Sequence, residues 1–243
     1  MTALGFLYPG HSAEDDYPRI EQLLGSDIRA DVVPVDVGEG TYRVDPLRRA
    51  GYADRLAQPV EGLRLSGAEA VVWASTSGGF VHGWAEAQRQ VRELARAAGL
   101  PASSTAFAFV HAVREIGVRK VAVAATYPED VTALFVDFLR AGGVQVVAAH
   151  SAGLATAAQS AAWDEAEILA LARAADTAEA EAVLVPDTAL HTASHIPTLE
   201  KDLGKPVLTA NQVTVWEALR LTDRRVNAPS LGTLFTREPI VQV

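Results

Sequence analysis

The stretch GAEAVVWASTSGG, residues 67–79, is an apolar strand pattern that runs directly into a cluster of hydroxyls and glycines. A second stretch, AEAEAVLVPDTALHT, residues 178–192, begins with nearly the same letters and changes character at the same place. When the two stretches are aligned, Ser75 falls on Asp187 and Thr76 falls on Thr188. Two strands of one chain therefore end in a small polar residue followed by threonine, which indicates an internal repeat.

Short apolar runs alternate with amphipathic stretches along the whole chain. The apolar runs are rich in Val and Ala and show no polar alternation, which is typical of strands covered on both faces. We predict strands at residues 4–8, 31–35, 70–73, 120–125, 145–149, 182–185 and 206–208. We predict helices at residues 81–98, 105–117, 129–141, 164–175, 194–203 and 214–221. This order of elements predicts an α/β fold with parallel sheets and right-handed crossovers.

Two further pairs of similar segments extend the repeat. The dipeptide Tyr-Pro follows a predicted strand twice, at residues 8–9 and 127–128. The order Gly, Pro, strand, helix occurs at residues 98–113 and again at residues 203–219. The repeat therefore covers most of the chain and predicts two similar lobes.

We predict two pseudo-symmetric lobes, each a parallel sheet flanked by helices, at residues 1–115 and 116–220. A tail at residues 221–243 is expected to pack back on the first lobe. Ligands of open α/β sheets sit outside the carboxyl ends of the strands. We therefore expect Ser75 and Asp187 to face one ligand in a cleft between the lobes.

The composition narrows the possible classes of protein and site. The 243 residues are 49% hydrophobic, which is enough for one large domain or two small ones. There is no cysteine, which excludes disulfides, thiolate metal sites and thiol-based catalysis. A net charge of −9 without a Lys/Arg cluster argues against nucleic-acid and membrane partners. The lack of a long apolar run and of a basic N-terminal segment predicts a cytoplasmic protein.

Several longer motifs share their order and spacing with one known group of proteins. They are ASTSGGF (74–80), GVRKVAVAATYPEDV (117–131), VPDTALHT (185–192), IPTLEKDLGKPVLTANQ (196–212), VWEALRL (215–221) and GTLF (232–235). In these motifs the chain resembles the aspartate/glutamate racemase superfamily, and within it the maleate cis-trans isomerase and arylmalonate decarboxylase branch. The resemblance covers essentially the whole chain and implies the two-lobed fold.

The chain departs from that family at the two catalytic positions. The resemblance implies a cysteine at each strand end, on opposite faces of a substrate carbon, with only the second one kept in the decarboxylases. This chain has Ser75 and Asp187 there. A thiol, with a reference pKa of ~8.5, is a base or nucleophile near neutral pH, whereas an unassisted serine is neither. Two-thiol racemisation and thiol addition to a double bond are therefore not available.

Asp187 is the first candidate catalytic residue, because it occupies the second of the two family positions. We interpret it as a general acid or base that replaces the thiol. The alternative is an aspartate that only caps the helix that follows it.

The turn Ser75, Thr76, Ser77 and Gly78 is the second candidate, with Ser75 at the first catalytic position. The N–H groups of a strand-to-helix turn and the hydroxyls suit an anion. No GxGxxG or GxxxxGK[ST] motif is present, so a carboxylate fits better than a nucleotide. The alternative is a helix cap whose glycines serve only the turn.

Four further residues are candidates for substrate binding. Tyr127 matches a substrate-contacting tyrosine of the family, and its phenol would donate to the carboxylate. The alternative is a tyrosine packed on the lobe. Thr188 is expected to help hold the same carboxylate. Tyr8 and His11 lie in the counterpart turn of the first lobe, where His11 is equally consistent with a capping or surface role.

The remaining histidines are weaker candidates. His191 and His195 are four apart and are expected to share a helix face, but no HExxH motif supports a metal site and we expect none. His82 is expected to line the cleft. His111 and His150 are interpreted as structural.

These motifs together predict a cofactor-independent, isomerase- or decarboxylase-like enzyme that acts on a small carboxylic acid, with single-sided proton transfer by Asp187. One rival interpretation is a catalytically retired protein that only binds a small acid, as a sensor or partner subunit. Another is a scaffold without a ligand. The family resemblance also implies a homo-oligomer.

Overall fold

A computed structural model describes residues 1–25, 27–38, 40–50 and 53–236, which form two lobes with one four-stranded parallel sheet each. The first sheet has the order β2-β1-β3-β4, with β1 (Thr2–Pro9), β2 (Ile28–Val35), β3 (Ala70–Trp73) and β4 (Ala102–Ser104). The second has the order β6-β5-β7-β8, with β5 (Lys120–Ala125), β6 (Gln145–Ser151), β7 (Ala182–Val185) and β8 (Val207–Thr209). Because the two orders are the same, the predicted pair of pseudo-symmetric α/β lobes is confirmed.

The strands in the middle of each sheet are the apolar ones. Every residue of β3 and of β7 is buried, because helices cover both faces of the sheet. The edge strands β2 and β6 are partly exposed. The bounds of β3, β5 and β7 agree with the prediction, whereas β1, β2 and β6 extend further than predicted.

The helices connect successive strands. The helices of the first half of the chain are α1 (Asp16–Leu24), α2 (Val44–Ala50), α3 (Ala53–Leu65), α4 (Ser77–Phe80), α5 (Trp84–Ala98) and α6 (Thr105–Glu115). The others are α7 (Glu129–Ala141), α8 (Ala157–Ala161), α9 (Glu165–Ala175), α10 (Ile196–Leu203) and α11 (Ala210–Leu221). Across the described ranges, no helix combines the length and apolar character needed to cross a membrane.

Two predicted helices begin two or more residues later than expected. The helix predicted at residues 81–98 begins at Trp84, because Gly83 has a φ of 75°, which a right-handed helix does not contain. The helix predicted at residues 194–203 begins at Ile196. His191 and His195 therefore both precede α10, and the expectation that they share a helix face is wrong.

The last helix of each lobe's chain segment packs against the other lobe. α11 follows β8 but packs on β1, β3 and β4 of the first sheet. α6 follows β4 and places Phe109 against Phe135 of α7, with ring centroids 5.5 Å apart. The two helices also meet each other, with the Thr105 and Thr214 hydroxyls 2.6 Å apart. The largest hydrophobic cluster consequently contains residues of both lobes.

The segment after α11 contacts both lobes. Arg224 forms an ion pair with Asp27 in the first lobe. Two short 3-10 turns follow, Pro229–Leu231 and Thr233–Phe235. The Thr233 N–H and hydroxyl donate to the Glu200 carboxylate of α10 at 3.0 Å. The part of the predicted tail beyond residue 236 lies outside the described residues.

Candidate active site

A small cavity lies between the carboxyl ends of the two sheets. Ser75 comes shortly after β3 and Asp187 comes shortly after β7. Both line the cavity, whose volume is about 50 Å³. Its lining comes from both lobes and comprises Pro9, Ser12, Val37, Gly40, Thr41, Tyr42, Pro46, Leu47, Ser75, Ser77, Ala157, Asp187, Thr188 and Ala189. The structure therefore brings four of the predicted site residues, Ser75, Ser77, Asp187 and Thr188, to one cavity.

The Asp187 side chain is held by hydrogen-bond donors alone. Only 2% of the residue is exposed. The Tyr42 hydroxyl donates to Oδ2 at 2.6 Å, the Thr126 hydroxyl donates to the same oxygen, and the Ala189 N–H donates to Oδ1 at 2.9 Å. Within the part of the chain that the structure describes, Asp187 forms no ion pair with Lys, Arg or His. Buried polar groups are hydrogen-bonded in folded proteins, and here all the hydrogen-bond donors to the carboxyl group are neutral.

The alternative role of Asp187 as a helix cap does not match the structure. The next helix, α10, begins only at Ile196. The hydrogen bond from the Ala189 N–H instead closes a local turn over the residues directly after Asp187. Asp187 therefore shapes its own turn at the edge of the cavity.

Tyr42 is a site residue that the sequence analysis missed. It follows β2, is 5% exposed, and packs edge-on against the ring of Tyr127 with centroids 4.9 Å apart. Burial raises the pKa of Tyr42 well above its usual range, and the charge of Asp187 raises it further, so the phenol remains a donor. The signal that was available is its place after the carboxyl end of β2, because the carboxyl ends of parallel strands meet at one edge.

The turn after β3 is closed by its own hydroxyl. Ser75 Oγ accepts the Gly78 N–H at 3.0 Å. Glycine is needed at position 78, since a Cβ there would lie 2.9 Å from Ser75 Oγ and 2.9 Å from Trp73 Nε1. Ser77 lines the cavity, whereas Thr76 is fully buried and is not among the lining residues. Two of the three hydroxyl residues thus face the cavity directly.

Tyr127 and Tyr8 fix the backbone on either side of Asp187. The Tyr127 hydroxyl donates to the Pro186 carbonyl at 3.0 Å, and the Tyr8 hydroxyl donates to the Thr188 carbonyl at 2.8 Å. Burial raises the pKa of both phenols above their usual range, and the nearby charge of Asp187 also raises them. Neither phenol is among the residues that line the cavity. Both instead hold the turn that presents Asp187.

The structure places His11 and His82 away from this cavity. The His11 side chain is 73% exposed, and its Nδ1 lies 2.9 Å from Glu14 Oε1. His82 was expected to line the cleft, but it is not among the lining residues. Burial lowers the pKa of His82 below its usual value. Neither imidazole is therefore brought to Asp187.

His191 and His195 each lie beside a separate carboxylate. His191 Nε2 lies 2.9 Å from Asp15, and His195 Nδ1 lies 3.5 Å from Glu165. Among the residues for which the structure gives positions, no three His, Asp or Glu side chains are grouped so that they could hold a metal ion. His111 Nδ1 lies 2.9 Å from Oε1 of Glu217 in α11, away from the cavity.

Known proteins are similar to this chain in sequence and in fold. The family model described as arylmalonate decarboxylase matches residues 37–235. Arylmalonate decarboxylase from Bordetella bronchiseptica is 28% identical over 214 residues, which cover 87% of this chain and 89% of that protein. Maleate isomerase from Geobacillus stearothermophilus is 25% identical over 139 residues, which cover 56% of this chain and 55% of that protein.

Solved structures show the same architecture. A liganded double mutant of arylmalonate decarboxylase superposes with a TM-score of 0.83 at 25% identity, covering 97% of this chain and 99% of that one. A Nocardia farcinica maleate cis-trans isomerase mutant with a covalently bound succinylcysteine intermediate superposes with a TM-score of 0.89 at 19% identity, covering 98% and 99%. At that identity the second match shows the fold alone.

The family match spans most of the chain, including both strand-end turns and the Tyr42 loop. The relatives found by sequence are enzymes, a decarboxylase and an isomerase. The chain therefore belongs to the arylmalonate decarboxylase family, in the branch that it shares with the maleate isomerases, and is an isomerase- or decarboxylase-like enzyme.

Proposed function

We propose that this chain decarboxylates or isomerises a small carboxylic acid without a cofactor, with single-sided proton transfer by Asp187. The observation that carries the proposal is that Asp187 and the hydroxyl residues Ser75 and Ser77 line one cavity between the two sheets. An acid–base group and a hydroxyl-rich turn there approach the same small ligand from opposite lobes.

The turn after β3 would hold a carboxylate of the substrate. Ser75 and Ser77 line the cavity and carry hydroxyls that can donate to an anion. The same donors would stabilise the negative charge that grows on this carboxylate in the transition state. Thr188 lines the opposite wall and supplies a further hydroxyl.

Decarboxylation would proceed in two steps at the carbon next to the held carboxylate. The bond to the second carboxylate breaks, CO₂ leaves, and the electron pair stays on an enediolate formed with the held carboxylate. The protonated carboxyl group of Asp187 then gives its proton to that carbon and becomes a carboxylate, which regains a proton from solvent. Asp187 lies on one wall of the cavity, so the proton would arrive on one face only.

An isomerisation would use the same groups. In a β,γ-unsaturated acid, the Asp187 carboxylate would remove a proton from the carbon next to the held carboxylate, and the hydroxyl turn would stabilise the extended enediolate. Asp187 would then return the proton to the γ carbon on the same face, so that the double bond moves next to the carboxylate. The chain contains no cysteine, so a route by thiol addition to a double bond is not open. We therefore place decarboxylation first and proton-transfer isomerisation second.

The walls of the cavity favour a substrate with an apolar substituent. Val37, Pro46, Leu47 and Ala157 contribute apolar side chains to the lining. The relatives are named for arylmalonate and for maleate. Phenylmalonate and maleate are accordingly the first compounds to test.

The test measures turnover of both compounds by the wild-type protein and by Asp187→Asn. We expect CO₂ release from phenylmalonate with incorporation of one solvent deuteron in D₂O, and a loss of ~10²–10⁴-fold in Asp187→Asn. Asp202→Asn, which changes an aspartate that pairs with Arg173 away from the cavity, is the control and should keep wild-type turnover. Equal turnover by wild type and Asp187→Asn would refute the role of Asp187.

The rival interpretation, a retired protein that only binds a small acid, predicts a different result. Malonate or phenylmalonate would then raise the melting temperature of the wild-type protein while neither CO₂ nor an isomer is formed. Binding without any turnover across a series of substituted malonates and unsaturated dicarboxylates would replace the enzyme proposal with this one.

A further inference from the structure

We infer that Tyr42 is a positioning residue for Asp187, delivered to it by a strap that joins the two lobes. The strap consists of residues 40–42 of the first lobe and residues 155–157 of the second. The contact itself is independent of the reaction, whereas its consequence for turnover rests on the proposed function.

The hydroxyl of Tyr42 meets one particular oxygen of Asp187. It donates to Oδ2 at 2.6 Å, and the Thr126 hydroxyl donates to the same atom. Oδ1 accepts only from the Ala189 N–H among the described residues. Because two hydroxyls already occupy Oδ2, Oδ1 is the oxygen left to exchange a proton with a substrate carbon. Tyr42 thereby selects which atom of the carboxyl group reacts.

The backbone around Tyr42 is anchored by the opposite lobe. The Tyr42 N–H donates to the Ala155 carbonyl at 2.8 Å, and the Ala157 N–H donates to the Gly40 carbonyl at 2.9 Å. Thr41 and Thr156 form an antiparallel bridge between these two bonds. Tyr42 belongs to the first lobe by sequence, yet its position is set by the second lobe. The hydrogen bond from Tyr42 to Asp187 therefore depends on the strap that joins the two lobes.

The titratable groups that face Asp187 are three phenols, which stay neutral while a carboxyl group titrates. Its charge raises the pKa values of three phenols, those of Tyr8, Tyr42 and Tyr127, which come from three different segments. All three are also raised by burial, so they stay neutral over the range in which a carboxyl group titrates. A change in the titration of Asp187 on removing one hydroxyl can therefore be attributed to that hydroxyl.

The experiment follows the Asp187 carboxyl carbon by NMR in protein labelled with ¹³C at the aspartate side-chain carboxyls, with the signal assigned by its loss in Asp187→Asn. Tyr42→Phe keeps the ring packed on Tyr127 and removes the hydroxyl. We expect the titration midpoint to rise by about one to two pH units, because a donor that favours the charged form is lost. The matched control is Ser160→Ala, which removes the other partner of the Tyr42 hydroxyl, 3.1 Å away, and should leave the midpoint unchanged.

A second variant tests the strap without touching the hydroxyl. Ala157→Pro removes the N–H that binds Gly40, while proline is tolerated at the first position of α8 and the extended Thr156 before it suits a following proline. We expect the midpoint to rise in the same direction by a smaller amount. An unchanged midpoint in Tyr42→Phe, or an equal change in Ser160→Ala, would overturn the inference.

Turnover separates this inference from the proposed function. If both hold, Tyr42→Phe lowers kcat for decarboxylation about tenfold or more with KM nearly unchanged, and the alkaline limb of the pH profile, where Asp187 loses its proton, moves up with the NMR midpoint. If Asp187→Asn keeps wild-type turnover while the midpoint still rises in Tyr42→Phe, the positioning contact is supported and the proposed function fails. If Asp187→Asn loses turnover but the midpoint does not move in Tyr42→Phe, the proposed function is supported and the positioning role of Tyr42 fails.

Discussion

Asp187 and Glu217 are both buried carboxylic acids, and their surroundings differ in one respect that decides what each is able to do. Asp187 borders a cavity and accepts hydrogen bonds from neutral groups, the Tyr42 and Thr126 hydroxyls and one N–H. Glu217 is 0% exposed in α11, and its oxygens bind Arg220 at 2.8 Å and His111 at 2.9 Å. Asp187 therefore has neutral partners and a place beside a cavity that a ligand can enter, whereas Glu217 is enclosed and paired with the guanidinium of Arg220.

The Glu217 cluster has a structural explanation. It ties α11 to α6 through His111 and to β4 through the Ser103 hydroxyl, which donates at 2.6 Å. Burial alone would raise the pKa of Glu217, but the hydrogen bonds from Arg220 and His111 outweigh it and lower the pKa to about 2. The cluster thus holds α11 against α6 and β4 of the first lobe.

The largest expected effect is a loss of turnover on substitution of Asp187. Asp187→Asn should lower turnover by ~10²–10⁴-fold, yet keep most of the stability, because the Tyr42 and Thr126 hydroxyls can turn to accept from the new amide. The measurement pairs kcat with the denaturant midpoint. A variant that unfolds instead of losing only activity would contradict the comparison.

The second effect is a loss of stability without a loss of turnover, on substitution of Glu217. Glu217→Gln places an amide N–H against the guanidinium of Arg220, which cannot accept a hydrogen bond. We expect a loss of about 3 kcal/mol in the free energy of unfolding, from the difference between the folded pKa and the ordinary one. Turnover of the fraction that remains folded should be unchanged, and urea denaturation with a parallel rate assay measures both.

The stability difference between wild type and Glu217→Gln should depend on pH. The folded pKa of about 2 lies below the ordinary value of 4.5, so the contribution of Glu217 is fully present above pH 4.5 and disappears as the pH falls toward 2. Urea midpoints of both proteins at pH 7, 4 and 3 should therefore converge. Parallel curves at all three values would show that the charge of Glu217 is not what stabilises the cluster.

The smallest effects come from removing one hydroxyl donor on each side. Ser103→Ala should cost about 1–3 kcal/mol of stability, since a donor to a charged group is lost, with no change in kcat. Thr126→Val should lower kcat severalfold with a smaller change in stability, because its partner is Asp187. If the two variants showed the same balance of lost activity and lost stability, the distinction between the carboxyls would be wrong.

Much of the fold was predictable because parallel strands buried on both faces carry an unmistakable apolar run. Residues 70–73, 120–125 and 182–185 were assigned with the observed bounds for this reason. The start of α5 at Trp84 is not predicted, since glycine is tolerated inside helices and only the observed φ of 75° shows that Gly83 precedes the helix. α10 also begins later than predicted, at Ile196.

The site was predictable where it follows the repeat and unpredictable where it does not. Ser75 and Asp187 occupy equivalent places in two equivalent lobes, so their meeting at one cavity follows from the topology. Tyr42 lies outside the segments in which the sequence repeat is recognisable, and Ser160, its second partner, is far away in sequence. Tyr127 and Tyr8 were identified as residues of interest, but their donation to the carbonyls of Pro186 and Thr188 appears only in three dimensions.

The sequence by itself determined the repeat, the parallel α/β architecture and the absence of any thiol, because periodic apolar runs and composition are properties of the linear chain. The tertiary structure alone decided which donors surround Asp187, how the strap delivers Tyr42, and why Glu217 is structural. Hydrogen bonds and ion pairs act over about 3 Å, and only folding brings residues so distant in the chain within that reach.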